Sequence, residues 1–95
     1  MVSTLLAINL ASLLEALEER TRIKLPTTVI EVSLAEGVLH IRFSHPKTRE
    51  ADVEPLPLKT PAFIFRDEET GEITALEILD LGEALRELGM KLKGA

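Results

Sequence analysis

The densest group of reactive side chains in the sequence is the run Asp67-Glu68-Glu69-Thr70-Gly71-Glu72, carboxylates and a hydroxyl gathered around a glycine. Oxygen donors in such number are what a hard divalent cation takes. An EF-hand loop needs donors at alternate positions, glycine at the sixth and glutamate at the twelfth; counted from Asp67, those last two places hold Glu72 and Ile78. The motif fails, and the run reads as the solvated tip of a hairpin, with Gly71 in the left-handed position of a type I turn with a bulge. His40 and His45 are the second candidate. His40 falls on the outward side of a strand beside Arg42, and His45 precedes Pro46, so the two lack the helical spacing of paired metal ligands. A transition-metal site would have to recruit Glu31 or a second subunit. For nucleophilic catalysis the parts are Ser33, Ser44, His40 and Asp52, and no Gly-x-Ser-x-Gly turn frames either serine. The five glycines are scattered as turn and cap residues, so nothing cradles a phosphate. We therefore expect no catalytic, metal-binding or cofactor-binding residues, and no enzyme.

Composition narrows the classes further. Ninety-five residues are expected to make one domain with a single modest core. The apolar fraction of 45% is almost wholly aliphatic, with three Phe and neither Trp nor Tyr, so aromatic stacking platforms are missing. A net charge of −5 with no Lys/Arg stripe argues against nucleic acid. The basic runs Arg20-Thr21-Arg22-Ile23-Lys24 and Lys91-Leu92-Lys93 read as solvated helix ends. The sequence holds no cysteine, which excludes disulfides, thiolate nucleophiles and Cys-based metal sites. It holds no Gln and a single Asn, Asn9, beside 28% charged residues, a bias that leads us to expect a thermophilic source. The apolar start has no basic flank, and no apolar run reaches the ~20 residues of a membrane span, so the expected location is cytoplasmic and away from membranes.

These residues must be positioned by a small set of elements. Val2, Leu6, Leu10, Leu13, Leu14 and Leu17 share one side of a helical wheel, which predicts an amphipathic helix from about Ser3 to Arg22, within an N-terminal helical region of residues 1–25. The alternative is a shorter helix opened by a capping box at Ser12-x-x-Glu15, after an extended segment. Pro26 ends either one. A sheet is predicted over residues 27–79. TTVIEVSL places Thr28, Ile30, Val32 and Leu34 on one face, Gly37 serves a tight turn, and VLHIRF turns Leu39, Ile41 and Phe43 inward. Residues 44–61 hold four of the five prolines and predict a short edge segment near Glu50 to Glu54, then a stiff crossing. The hairpin from Ala62 to Leu79 follows, with Phe63 and Phe65 on one face and Ala62 and Ile64 on the other. Both of its faces are partly apolar, so it is expected to be central or covered on both sides. Asp80, with Glu83 three places on, caps a C-terminal helix in residues 80–93, and Gly89 suits the end of that helix.

The strand GVLHIRF (Gly37 to Phe43), the acidic turn Asp67 to Ile73 and the strand Leu76-Glu77-Ile78-Leu79 resemble the family of short archaeal and bacterial proteins called "domain of unknown function 2283". The resemblance spans about Thr28 to Leu88. It departs from the family at His40, where Tyr is usual, at Ala75, where Gly is usual, and in the N-terminal helix. It implies a small antiparallel sheet with a helix and carries over no catalytic residues; it also implies an antitoxin-like role.

The expected architecture is therefore α+β: an N-terminal helix, an antiparallel sheet of two β-hairpins with four or five strands, and a C-terminal helix. Such an open sheet leaves apolar surface that a second subunit would cover. The expected function is a non-catalytic, homo-oligomeric protein-interaction module, most simply a homodimer, with Leu6, Leu10, Leu13 and Leu17, Phe63 and Phe65, or an exposed strand edge, as its interface. The alternatives are an antitoxin-like partner that neutralises a small basic toxin or nuclease through its acidic face, and a small metal-dependent hydrolase.

Overall fold

In the computed structural model, which describes residues 9–90, the order is α1 (Leu10–Thr21), β1 (Glu31–Ala35), β2 (Val38–Arg42), β3 (Glu50–Pro55), β4 (Ala62–Asp67), β5 (Ile73–Ile78) and α2 (Leu81–Glu87). This is the expected α+β arrangement, with five strands. The sheet is antiparallel throughout, in the order β1-β2-β5-β4-β3. Strands β3, β4 and β5 follow one another, and β2 returns beside β5 by a connection that crosses the end of the sheet, which makes a Greek key. β5 is thus central, as the apolar character of both its faces predicts.

The N-terminal helix differs from the expectation. Instead of running unbroken from Ser3 to Arg22, the described helix starts after Asn9, whose backbone is extended (φ −80°, ψ 99°) and whose side chain accepts the Ser12 main-chain N–H at 3.1 Å. Asn competes with the helix for that N–H and so starts a helix instead of continuing one. Ser12 lies inside the first turn and caps nothing. Residues before Asn9, Leu6 among them, lie outside the described residues, as does the part of the expected C-terminal helix beyond Met90. α1 stops at Arg22, which is left-handed (φ 63°) and whose N–H donates to the Glu18 carbonyl at 2.7 Å. α2 is shorter than residues 80–93: Asp80 caps it through the Glu83 N–H, and Gly89 follows with φ 74°.

The core lies between the helices and one sheet face, here called inner. Leu13, Leu17, Leu39, Ile41, Ile64, Leu76 and Ile78 are all fully buried within one cluster, joined by Leu81, Ala84 and Leu85 of α2. The register explains the selection, since Leu39 pairs with Ile78, Ile41 with Leu76, Ile64 with Leu76 and Ala62 with Ile78. Burying a side chain of this size contributes about 1.5–3 kcal/mol.

Two irregularities act on the same stretch of β4. Between Phe65 and Arg66, β5 advances from Ala75 to Ile73, so Thr74 is an extra residue; between Arg66 and Asp67, β3 advances from Asp52 to Glu50, so Ala51 is another. An extra residue reverses the side-chain alternation beyond it. Glu54 faces the same side as Ile64, whereas Glu50, beyond the bulge, sits opposite Asp67 on the other face.

Candidate functional site

The outer face of the sheet is built from cross-strand rows. One row is Glu31, Arg42, Ala75, Phe65 and Val53; the next is Ser33, His40, Glu77, Phe63 and Pro55. Leu79, whose N–H donates to the Pro61 carbonyl, continues β5 on this side. Both helices pack on the inner face, and among the described residues none lies on the outer one. Phe63 and Phe65 are half-buried, while Val53 and Leu79 are 54% and 41% exposed.

The histidine of this face does meet a carboxylate, but not the expected one. His40 Nδ1 stands 3.7 Å from Glu77 Oε2, and its ring lies 6.5 Å from that of Phe65 at a tilt of 57°. Ser33 is its cross-strand neighbour, so Ser33, His40 and Glu77 form a row over three strands, whereas Asp52 sits on the far edge strand opposite Arg66. The row has the residue types of a Ser-His-acid triad without its setting. The main-chain groups of Ser33 itself are committed to the ladder with β2, those of Val32 and Leu34 point off the sheet edge and not at the outer face, and a flat sheet face gives a substrate no walls. His45 is an exposed loop residue. No group of three or more His, Asp or Glu side chains able to hold a metal ion occurs among the described residues.

At the end of the same face the two bulges assemble a partly buried polar cluster. The Arg42 guanidinium donates to both oxygens of Glu50 at 3.0 and 3.3 Å and to the Ser44 carbonyl at 3.0 Å, and the Thr74 hydroxyl donates to Glu50. Burial alone would raise the Glu50 carboxyl, but hydrogen bonds from Arg42 and Thr74 and the charge of Arg42 outweigh it and hold the group below its ordinary range. The arrangement is a closed ion pair with its donors satisfied, and its chemistry is structural.

The acidic hairpin tip also differs from a uniformly solvated turn. Glu68, Glu69 and Glu72 are exposed, but Asp67 is only 3% exposed. Its oxygens accept main-chain N–H bonds from Lys47 at 2.5 Å, Glu69 at 2.7 Å and Thr70 at 3.2 Å. The Lys47 N–H above all, then those of Glu69, Thr70 and Thr48, hold its carboxyl below the ordinary range. Asp67 therefore pins the β2–β3 connection to the β4–β5 turn, and both of its oxygens are engaged by main-chain donors. Gly71 has the expected positive φ of 78°. Glu87 at the end of α2 does the corresponding work on the other side. It accepts the N–H groups of Lys59 and Thr60 at 2.8 and 2.9 Å and the Thr60 hydroxyl at 2.8 Å, and these bonds lower its carboxyl.

An open cleft of about 630 Å³ lies between the α1–β1 connection and the β4–β5 turn, with Leu25, Phe43 and Ile73 as an apolar floor and Lys24, Arg66 and Glu72 at its rim. Arg66 is already engaged with Glu54 at 3.0 Å and with the Gly71 carbonyl at 2.8 Å. Ser44 lines the cleft while His40 lies on the outer sheet face, so no nucleophile and base converge there.

The expected interface residues separate cleanly. Leu13 and Leu17 are fully buried in the chain's own core, and Leu10 packs against it, so that helical stripe is turned inward and is not a surface for a second copy. Phe63 and Phe65 lie on the outer face. Glu50, Thr74, Asp67, Glu77 and Glu87, the residues that organise the polar contacts, were not distinguished by sequence, because their partners are set by bulges and long-range register. No described helix is long and apolar enough to cross a membrane. No family model, no curated protein and no solved structure matches this chain.

Proposed function

We propose that the chain is a non-catalytic, homo-oligomeric protein-interaction module that docks through the outer face of its sheet. One observation carries this reading: Phe63, Phe65, Val53 and Leu79 form an apolar tract on a sheet face that no described element covers. An antiparallel sheet in water keeps such a face polar unless something packs on it. The chemistry of the face favours a second copy. Apolar positions alternate with both charge signs, Arg42 against Glu77 and Glu31, so that a two-fold axis can lay like on like in the apolar rows and opposite charges across from each other.

Light scattering on size-exclusion fractions tests the proposal. The wild-type chain is expected to run as an oligomer at micromolar concentration and Phe65→Glu as a smaller species, with the unfolding free energy of the isolated chain unchanged. A strictly monomeric wild type, indistinguishable from the variant, would remove the reading.

A further inference from the structure

The two edges of the sheet are not equivalent, and the difference points to a second assembly contact. At the β3 edge the register with β4 decides which main-chain groups face out. The Leu56 N–H donates to the Ala62 carbonyl, so Leu56 and Glu54 turn their groups toward β4, while Val53 and Pro55 turn theirs outward. Pro55 has no N–H to offer, and the bulge at Ala51 breaks the line of the strand. Val53 and, beyond the bulge, Glu50 are left as outward donors of that edge, with the break at Ala51 between them.

The β1 edge has neither device. β1 and β2 are joined by the two-residue turn Glu36-Gly37, with φ of 52° and 83°, so Ala35 and Val38 form the hydrogen-bonded pair that closes it. Ser33 with His40 and Glu31 with Arg42 follow as hydrogen-bonded pairs, and Val32 and Leu34 are left with N–H and C=O groups directed away from the sheet. The neighbouring ladder agrees: the Phe43 N–H donates to the Thr74 carbonyl at 2.8 Å, which places the groups of Phe43, Ile41 and Leu39 toward β5 and those of His40 and Arg42 toward β1. From Glu31 to Ala35 β1 thus presents a proline-free edge with unbroken register; just before it the Ile30 N–H donates to the Arg42 carbonyl at 2.9 Å, one place out of step, and Ile30 is 48% exposed.

We propose that β1 pairs antiparallel with β1 of a second copy about a two-fold axis at Ser33, which joins the two sheets into one. In this register Val32 of each chain faces Leu34 of the other, and the outward groups of both residues form four main-chain hydrogen bonds. Glu31 faces Ala35, so the only carboxylates of the strand do not oppose each other. Val32 and Leu34, half-buried at the margin of the inner core, pack against the same pair from the partner and continue that core across the axis. The contact is separate from the outer face and deepens the reading of the chain as a self-associating module, on which it rests.

The chain has no cysteine, which gives a clean probe. Ser33 would face its own symmetry mate as a non-hydrogen-bonded pair, where Cα atoms approach to about 4.5 Å, within disulfide range. Ser33→Cys is expected to form a covalent dimer in mild oxidant roughly tenfold or more faster than His45→Cys, because the two thiols are held together at high effective concentration. Val32→Pro removes only an outward N–H and leaves the ladder with β2 intact, and combined with Ser33→Cys it is expected to bring the rate down to that of the control. Hydrogen exchange on the wild type gives a second readout: the Val32 and Leu34 amides are expected to be protected at high protein concentration and to exchange freely on dilution. Equal oxidation rates for the two cysteine variants overturn the edge contact. So does concentration-independent protection of these amides in a monomer, which would mean that the chain covers its own edge. If Ser33→Cys fails while Phe65→Glu still dissociates a dimer, the edge contact is wrong and the interaction-module reading stands; a monomeric wild type with unprotected amides disposes of both.

Discussion

Arg42 and Glu50 stand at the two ends of the connection that crosses the sheet, and their side chains close it with contacts of 3.0 and 3.3 Å, although two strands, β5 and β4, lie between β2 and β3. Only a bulge in β3 brings Glu50 to the face where Arg42 waits, and only a bulge in β5 adds the Thr74 hydroxyl. The pair is a clasp on the Greek-key crossover, and its value lies in restricting that loop as much as in its charge.

Glu50→Ala should therefore destabilise the chain by about 1–2 kcal/mol, since it strands the largely shielded Arg42 guanidinium and the Thr74 hydroxyl together. Glu50→Gln keeps some acceptors and should cost about half as much. Urea unfolding measures both; equal midpoints for Glu50→Ala and wild type would show that water replaces the clasp without loss.

Acid should loosen the fold at three defined points. Asp67, Glu87 and Glu50 all have carboxyls held below their ordinary range, so they are deprotonated in the folded chain at pH values where the unfolded chain takes up protons. Their stabilisation is complete above the unfolded values, near pH 4–4.5, and is lost as pH falls through the lower folded values. Thermal midpoints should be flat from pH 7 to about pH 5 and decline below it. Asp67→Asn should lower the midpoint at pH 7 and flatten the decline; a variant with the same acid slope as wild type would show that Asp67 is not among the groups responsible.

Leu17→Ala and Phe65→Glu should separate folding from assembly. Leu17 is fully buried in the intrachain core, and its truncation should cost about 2–5 kcal/mol whatever the protein concentration. Phe65→Glu should leave the unfolding free energy of the isolated chain within about 0.5 kcal/mol, as surface changes usually do, and act on association alone. Chemical denaturation over a hundredfold range of protein concentration distinguishes the two, and a concentration-dependent loss for Leu17→Ala would contradict the structure.

Two residues sit in left-handed conformations that cost a side chain about 1 kcal/mol: Arg22 after α1 (φ 63°) and Glu36 in the β1–β2 turn (φ 52°). Arg22→Gly and Glu36→Asn should each raise stability by about 0.5–1 kcal/mol. A fall in stability with Arg22→Gly would indicate that the arginine side chain makes contacts that outweigh its backbone conformation.

Much of this architecture is legible in the sequence where a short period governs. The alternation of Leu39, Ile41 and Phe43, or of Phe63 and Phe65 against Ala62 and Ile64, gives both the strand and its buried face. Asp80 and Gly71 announce a cap and a turn through chemistry confined to three or four residues. Period alone fails at Asn9, since a helical wheel stays coherent through a residue that breaks the helix. It fails again at Ala51 and Thr74, because a period of two does not reveal where an extra residue is inserted, and every face assignment past that point reverses. Asp67 was hidden for another reason: its strongest partner is the Lys47 amide, twenty residues away, so its burial could not be told from the exposure of Glu68 and Glu69 beside it. The stripe of Leu13 and Leu17 announced burial without saying against what, and the answer is the chain's own sheet.

Pro55 places its missing donor toward the open side of β3, and the bulge at Ala51 bends the strand beside it. Strand addition needs a continuous row of donors, so that side cannot serve as a template for the next chain, in solution or in the crowded state that follows partial unfolding. Of the two sides from which a filament could grow, one is closed by sequence. Were chains to join at the other, as proposed, each pair would have no open template left, and growth through sheet edges would end at two.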